Sequence, residues 1–362
     1  MKRKHSNKEM KSKNVKVIDL FCGVGGLSYG FVKEKFDVVA GIDYDLSCKY
    51  AFETNNNAIF LHKNLTHTSS KYINSLFPQN SLKILIGCAP CTSFSTLTQK
   101  YKDHNQWRLL YSFSRIINDV RPDIISMENV PRLLAYKGGK VFNDFNNMLK
   151  KANYNVFYKV VNCADYGIPQ KRNRLILLAS KLGEISLLKE THTVKEYVTV
   201  KDAIYHLPKI EAGETDIKDP LHRSRNLSPL NRKRIILTPE GGGWENWNED
   251  IKLECHKRKS GKTFRNVYGR MKWNDVAPTL TTLCTGYGNG RYGHPSQNRA
   301  ISLREAAILQ SFPIGYAFFD PEVKFSYKNI EKHIGNAVPV ALARIIAKSI
   351  KVHLEQYRKK IR

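Results

Sequence analysis

The chain has 362 residues, with 59 Lys or Arg against 32 Asp or Glu, so its formal net charge is +27 at pH 7. This length suits one large domain with a smaller one, and the positive surplus suits a surface that binds phosphate groups. No apolar run reaches the ~18 residues of a membrane helix, and the basic N-terminus lacks the apolar segment of a signal peptide, so membrane and secreted classes are excluded.

The N-terminal half alternates between two kinds of segment. Residues 1–14 are predicted to be a disordered basic arm. After them come five short apolar, β-branched runs typical of buried strands, namely VKVIDLF, DVVAGI, KILIG, DIISM and RLILLA. Segments with helical spacing separate them, among them WRLLYSFSRIIND and VFNDFNNMLKKA. The alternation predicts an α/β domain over 15–180 with a doubly wound, mostly parallel sheet.

A glycine-rich loop follows the first predicted strand. Gly23, Gly25 and Gly26 lie between that strand and a helical segment, as in nucleotide-binding folds, but Ser28 breaks the dinucleotide pattern GxGxxG. Asp43 ends the second predicted strand, where a carboxylate can accept hydrogen bonds from ribose hydroxyls. These residues predict a cofactor pocket, and by themselves they fit NAD as well as S-adenosylmethionine.

Cys91 follows the third strand run, in GCAPCTSFS. The pattern Cys88-x-x-Cys91 is also compatible with a redox pair or with half of a zinc site. A zinc site needs a second ligand pair, and the nearest candidate pair, Cys255 and His256, lacks the required spacing between ligands. A redox domain would need neither of the polar motifs described next. We therefore interpret Cys91 as a reactive thiol and Cys88 as a buried strand residue.

Two further motifs carry charged groups, SMENV with Glu128 and QKRNR with Arg172 and Arg174. Carbon 5 of cytosine is a poor nucleophile until another nucleophile adds to carbon 6, and a thiolate suits that addition. Charge then accumulates at N3 and O2 of the ring. A carboxylic acid near N3 and a guanidinium near O2 stabilise the adduct. Together, Cys91, Glu128 and Arg174 are therefore suited to attack and hold a cytosine ring.

The composition of the chain changes over 181–298, where Gly and Pro recur and the patterns typical of strands are short. Residues 252–272 carry eight Lys or Arg beside one acid, Glu254, and adjoin Trp273. A solvated loop would also account for this run, but we favour a target-recognition domain.

Residues 299–362 are expected to rejoin the first domain through a capping box at Ser302 and a long closing helix with Pro339 in its first turn.

The chain resembles the C5-cytosine DNA methyltransferase family in seven segments that occur in the family's order. They are VIDLFCGVGGLSYGF, GIDYD, GCAPCTSFS, SMENV, ADYGIPQKRNRLIL, RAISLREAAILQSFP and IGNAVPV. Only about 181–298 lies outside the resemblance. The resemblance implies a Rossmann-like methyltransferase domain with a smaller, irregular target-recognition domain. It also implies S-adenosylmethionine as methyl donor and no metal.

The resemblance also implies roles for individual residues. The catalytic set is Cys91, Glu128, Arg172 and Arg174. The cofactor-binding set is Asp19, Phe21, Gly23, Gly25, Gly26, Asp43, Tyr44, Asn64, Pro90 and Asn336. Asn64 stands where the family often has an acidic residue, and Thr92, where it often has Gln, begins a segment similar to the family's mobile catalytic loop.

The expected activity is DNA (cytosine-5-)-methylation of a cytosine flipped out of a specific duplex sequence. We expect double-stranded DNA as partner, a restriction endonuclease that shares the site without forming a stable complex, no membrane, a monomer, and a bacterial cytoplasmic location near the nucleoid. A transfer RNA cytosine methyltransferase of the same fold and a catalytically dead DNA-binding protein are the alternatives. The size of the recognition segment favours duplex DNA, and the intact Cys91, Glu128 and Arg174 favour an active enzyme.

Overall fold

The structure is a computed structural model that describes residues 14–89, 107–258, 261 and 264–360. The chain divides into two compact units. The first, here called the sheet unit, comprises Met1–Asn162, Asn173–Glu190 and Val338–Arg362. The second unit comprises Cys163–Arg172 and Thr191–Ala337.

The described part of the sheet unit contains one sheet of seven strands in the order β3-β2-β1-β4-β5-β7-β6. The strands are β1 Val15–Leu20, β2 Asp37–Asp43, β3 Ile59–His62, β4 Leu82–Gly87, β5 Ile124–Asn129, β6 Asn155–Asn162 and β7 Asn173–Ser180. Only β7 runs antiparallel to its neighbours, while the other pairs are parallel. This topology confirms the predicted α/β class and mostly parallel sheet.

The five predicted strands are all present, and β3 and β6 are additional strands at the two edges of the sheet. The central strands are buried on both faces, as their continuous apolar runs require. The edge strands have one buried residue each and are otherwise partly or fully exposed, so their sequences carry a weaker strand signal. The apolar pattern therefore detected the interior of the sheet and missed its margins.

The helices of the sheet unit are α1 Gly26–Lys33, α2 Lys49–Asn56, α3 Ser70–Ser75, α4 Arg108–Val120, α5 Lys140–Lys151 and the closing helix Val340–Lys360. On α4 the buried residues recur at helical spacing, with Phe113 and Ile117 fully buried. They share one core with β-strand residues such as Ile125. Burying a side chain of this size contributes roughly 1.5–3 kcal/mol to folding.

The closing helix begins at Val340, so Pro339 immediately precedes its first turn instead of lying inside it. The Pro339 carbonyl accepts from the Ala343 amide at 3.0 Å, which makes it the N-terminal cap. A Cβ at Gly30 on α1 would overlap the Ala343 Cβ, so glycine there lets the two helices approach closely. Val338–Arg362 belongs to the sheet unit.

Residues 299–337 belong to the second unit, which differs from the predicted return at 299. Arg299 is fully buried, forms a two-point ion pair with Glu305, and donates to the Ile210 carbonyl at 3.0 Å. The predicted capping box at Ser302 is present, and the Ser302 hydroxyl also contacts His222. These contacts tie the segment to residues near 210 and 222, a tertiary effect that the local sequence does not reveal.

The described part of the second unit has short helices, Val200–Ile204, Pro229–Ile236, Glu254–Lys257, Leu303–Leu309 and Tyr327–Asn336, joined by irregular segments. Its aromatic core includes Trp244, Trp247 and Tyr287. The Trp244 ring stacks on His256 at a centroid distance of 4.5 Å. No helix in the described ranges is long and apolar enough to span a bilayer.

Candidate functional site

The predicted site residues follow the carboxyl ends of neighbouring parallel strands. The chain reverses its direction of strand addition between β1 and β4, and open α/β sheets bind ligands at such a switch point. The glycine loop follows β1, Asp43 ends β2, Cys88 follows β4, and Glu128 lies near the end of β5. The sheet topology therefore brings motifs that are far apart in sequence to one edge.

Glu128 is 3% exposed, and its carboxylate has two side-chain partners. Arg174 on β7 places its Nε 2.7 Å from Glu128 Oε1, and the Cys88 Sγ lies 2.8 Å from Glu128 Oε2. The antiparallel pairing of β5 with β7 sets Glu128 opposite Ile176, two residues from Arg174. A buried carboxylate with a guanidinium on one oxygen can contact the polar edge of a flat heterocycle.

Cys88 is not the buried strand residue that its apolar context predicts. It lies one residue beyond β4, is partly exposed, and directs its thiol at the Glu128 carboxylate. The chain continues from there toward the predicted nucleophile. Asn129 Nδ2 donates to the Ala89 carbonyl at 3.1 Å, which fixes the main chain two residues before Cys91.

Pro90, Cys91 and residues 92–106 lie outside the described residues. The assignment of Cys91 as the nucleophile therefore remains a prediction. So does the assignment of Pro90 to the cofactor pocket. Asn129 braces the turn after Glu128, because its side-chain oxygen also accepts from the Val130 amide at 2.9 Å.

Arg172 has structural partners, and the catalytic role predicted for it stays a prediction. Its guanidinium is buried in the second unit, where it donates to the carbonyls of Leu280 and Gly335 at 2.8 and 3.2 Å. A guanidinium committed to main-chain carbonyls holds segments together and has little freedom to follow a reacting ring. Arg174, two residues later, is the arginine that reaches the carboxylate.

The glycine loop turns sharply away from β1. Phe21 has a φ of 61°, a left-handed conformation that is rare for a bulky residue and common at functional sites. Gly25 has a φ of 87°, and a Cβ there would overlap Asn56 Nδ2 and lie 2.9 Å from Phe52 Cδ2. By contrast, a Cβ at Gly23 would meet no atom of the described residues within 4 Å, so this part of the loop borders open space among them.

Asp43 holds this loop through one carboxylate oxygen and the turn after β2 through the other. Its Oδ2 accepts from the Gly23 amide at 2.8 Å and its Oδ1 from the Asp45 amide at 2.9 Å. Each carboxylate oxygen has a second lone pair, which remains suited to a ribose hydroxyl. The adjoining Tyr44 ring is 72% exposed and could stack on a base.

Asp19 lies beneath the loop and is fully buried, so it has no surface with which to contact a ligand directly. Its Oδ2 accepts from the Ser28 hydroxyl at 2.7 Å, and its Oδ1 has no partner among the described residues. Burial raises the pKa of this carboxyl to about 8, with a further contribution from the charge of Asp43. Gly26 is likewise buried, as the first residue of α1.

Asn64 already uses its side-chain oxygen. The Thr66 amide and hydroxyl donate to Asn64 Oδ1 at 3.0 and 2.6 Å, which occupies both lone pairs in a local turn. A contact between this oxygen and an adenine amino group would require the Thr66 hydroxyl to rotate away. Asn336 is exposed at the last position of its helix in the second unit.

The basic segment 252–272 contains three arginines that are candidates for contacting DNA bases, Arg258, Arg265 and Arg270. Burial excludes Arg270. Arg270 is buried and donates to the carbonyls of Thr238 and His294 at 2.7 and 2.8 Å, and also to the Asn298 side chain. Burial lowers its pKa. Arg258 and Arg265 are exposed and remain candidates, whereas Lys259 and Lys262 lie outside the described residues.

Sequence reasoning missed three contributors to the site, the Cys88 thiol, Ser28 and Asn56. Ser28 carried a signal, because it replaces the last glycine of the dinucleotide pattern and its hydroxyl binds Asp19. Asn56 acts only through its position beside Gly25, which no local pattern reveals.

Comparison with known proteins agrees with this geometry. The C-5 cytosine-specific DNA methylase family matches residues 15–352. The Type II methylase M.HgiDII of Herpetosiphon aurantiacus is 51% identical over 339 residues, which are 94% of this chain and 96% of that protein. Type II methyltransferase M1.HphI of Haemophilus parahaemolyticus is 30% identical, with 92% of this chain and 86% of that protein covered.

A solved structure shows the same fold. An E. coli prophage-encoded protein described as a DNA modification methyltransferase superimposes with a TM-score of 0.74 at 23% identity, covering 94% of this chain and 99% of that one. The sheet, the motifs at its carboxyl edge and the family match over nearly the whole chain lead to one conclusion. This chain belongs to the C-5 cytosine-specific DNA methylase family.

Proposed function

We propose that this protein is a Type II DNA (cytosine-5-)-methyltransferase in which Cys91 is the nucleophile and Glu128 and Arg174 hold the target ring. S-adenosylmethionine is the methyl donor of the family and supplies an electrophilic methyl group. The substrate is a cytosine in double-stranded DNA, turned out of the helix because carbon 6 is inaccessible in the base stack. A restriction endonuclease reading the same site would act without a stable complex, and the enzyme would work as a monomer.

The chain's own residues account for activation of the ring. The Cys91 thiolate adds to carbon 6, and the electron pair moves toward N3 and makes carbon 5 nucleophilic. Glu128, in its protonated form, donates its proton to N3 as this charge develops and takes it back when the aromatic ring is restored, while the guanidinium of Arg174 lies toward O2. After carbon 5 is methylated, its proton is lost and the Cys91 thiolate is eliminated, which restores the aromatic ring.

One observation carries the assignment, the buried pair between Arg174 Nε and Glu128 Oε1 at 2.7 Å. It lies at the sheet edge where β4 leads toward Cys91, and Asn129 anchors that approach through Ala89. A carboxyl and a guanidinium held together on adjacent strands present two polar groups to one edge of a base. A redox pair or a zinc site would need neither group.

The loop residues fit a methyl donor that contains an adenosine. Open space borders Gly23, the Asp43 carboxylate is held half-buried beside it, and the Tyr44 ring is exposed. We propose that Asp43 accepts from the ribose and Tyr44 stacks on adenine, with Phe21, Gly25 and Gly26 shaping the pocket. Asp19 would act from beneath by holding the loop, and the assignment of Pro90, Asn64 and Asn336 to cofactor binding stays a prediction.

The proposal is tested by trapping the covalent adduct. Duplex DNA with 5-fluorocytosine at the target should form a complex stable to denaturation, because fluorine blocks the final elimination. We expect trapping to require S-adenosylmethionine and to vanish in Cys91→Ser, while Cys88→Ser still traps. Trapping that survives Cys91→Ser but not Cys88→Ser would identify Cys88 as the nucleophile. Trapping on transfer RNA in place of duplex DNA would overturn the assigned substrate.

A further inference from the structure

The carboxylate of Glu128 is held at both oxygens, and one of the two partners is a thiol. Arg174 Nε lies 2.7 Å from Oε1, and Cys88 Sγ lies 2.8 Å from Oε2. We propose that Cys88 is a positioning residue, whose thiol donates to Glu128 Oε2 and fixes the carboxylate in the orientation that cytosine N3 requires. This inference rests on the proposed function of Glu128.

The backbone explains why the thiol reaches the carboxylate. Strands β4 and β5 are parallel, and Gly87 pairs with Met127 in their register. Cys88 and Glu128 are the next residues along each chain, so they continue side by side past the last pair. Arg174 approaches from β7 on the other side of β5. Three adjacent chain segments thus surround a single carboxyl group with two donors.

The chemistry of a thiol suits this position. A buried carboxylate oxygen without a donor costs free energy, so Oε2 needs a partner when no base is bound. A guanidinium is a strong, charged donor, whereas a thiol is a weak one. Oε1 is therefore held firmly by Arg174, while Oε2 can exchange the Cys88 thiol for the ring of an entering cytosine at low cost. The thiol keeps the carboxyl oriented without competing strongly with the substrate.

The first measurement compares Cys88→Ala with Cys88→Ser in single-turnover methyl transfer. We expect Cys88→Ala to slow the step by about 2- to 10-fold, the effect of losing one ordinary hydrogen bond. Affinities for duplex DNA and S-adenosylmethionine should stay unchanged. Cys88→Ser keeps a donor at the same position and should recover most of the lost rate. An equal loss in both variants, or a loss of binding in place of rate, would overturn the inference.

A double-mutant cycle with Glu128→Gln separates positioning from a general structural effect. Glu128→Gln should slow methyl transfer by roughly 10²-fold or more, since the amide cannot transfer a proton. If Cys88 acts through Glu128, then adding Cys88→Ala to Glu128→Gln should slow methyl transfer by less than about 2-fold relative to Glu128→Gln alone. Losses that multiply would contradict the inference.

The two failures are distinguishable. If Glu128→Gln left the rate intact, the proposed function of Glu128 would be wrong, whatever Cys88 did. If Glu128→Gln slowed the reaction while Cys88→Ala did not, only the positioning function of Cys88 would be lost. Melting temperatures of all four proteins of the cycle show that each rate refers to folded enzyme.

Discussion

Arg172 and Arg174 are two residues apart in one motif, yet their partners differ completely. Arg174 reaches the Glu128 carboxylate from β7, while Arg172 donates to main-chain carbonyls in the second unit. Arg174 lies on β7, which begins at Asn173, whereas Arg172 precedes the strand. At this scale, both residues supply a guanidinium, and their tertiary contacts determine which of them reaches the carboxylate.

Asp19 gives a prediction about pH and stability. Its pKa in the folded protein is about 8 against an ordinary value of 3.8, because it is buried beneath the glycine loop. The carboxyl therefore binds its proton more tightly in the folded state than in the unfolded state. Its contribution to stability is fully present below about pH 4 and is lost as the pH rises through about 8.

Asp19→Asn removes this titration, so the variant should gain stability relative to the parent as the pH rises from 5 to 8. Denaturant unfolding of both proteins at several pH values measures the difference. A difference in unfolding free energy that stays constant over this range would show that Asp19 does not carry the titration.

At the scale of elements, the turn from β1 into α1 depends on two glycines with different surroundings. Both have positive φ, but only Gly25 faces side chains, those of Asn56 and Phe52 on α2. The Gly23 position borders open space. Gly25 is therefore needed for packing between α1 and α2, and we propose that Gly23 allows the close approach of the cofactor.

Substituting alanine at each position should separate these two requirements. Gly25→Ala should lower the unfolding free energy by about 1–3 kcal/mol, because strain and overlap add. Gly23→Ala should lower it by only about 1 kcal/mol, the cost of a left-handed backbone, but should weaken S-adenosylmethionine binding. Calorimetric titration and urea unfolding test both. Equal destabilisation without a loss of binding at Gly23 would remove this glycine from the cofactor pocket.

At the scale of the whole molecule, we propose that the sheet unit carries out the chemistry and that the second unit recognises the target sequence. The exposed basic residues of 252–272 supply the charge expected of a DNA-binding surface. Arg270 is excluded from this group by its burial among main-chain carbonyls. The direct base contacts expected of an arginine are thus restricted to Arg258 and Arg265 within this segment.

Neutralising Arg258, Lys259 and Lys262 together should weaken DNA binding and leave S-adenosylmethionine binding intact. Phosphate contacts should be lost for all sequences alike, with the salt dependence reduced by about one unit per contact, whereas a base-reading arginine should cost ~1–3 kcal/mol mainly at one base pair. Titrations of cognate and scrambled duplexes at several salt concentrations distinguish the two. Unchanged affinity and salt slope would show that this run is a solvated loop.

The sequence by itself determined the α/β class, the five interior strands and the family, because buried strands require continuous apolar runs and the seven motifs keep their order. It also placed Glu128, Asp43 and the glycine loop at strand ends. It missed the edge strands Ile59–His62 and Asn155–Asn162, whose half-exposed faces weaken the apolar signal.

Only the tertiary structure decided which polar groups meet. It paired Glu128 with Cys88 and Arg174, assigned Arg172 and Arg270 to main-chain carbonyls, and placed residues 299–337 in the second unit. These outcomes depend on strand order, register and long-range packing. A local pattern records the type of a side chain and its periodicity. The partners of Glu128 lie 40 or more positions away along the chain, and the carbonyls that Arg270 contacts lie 24 or more positions away.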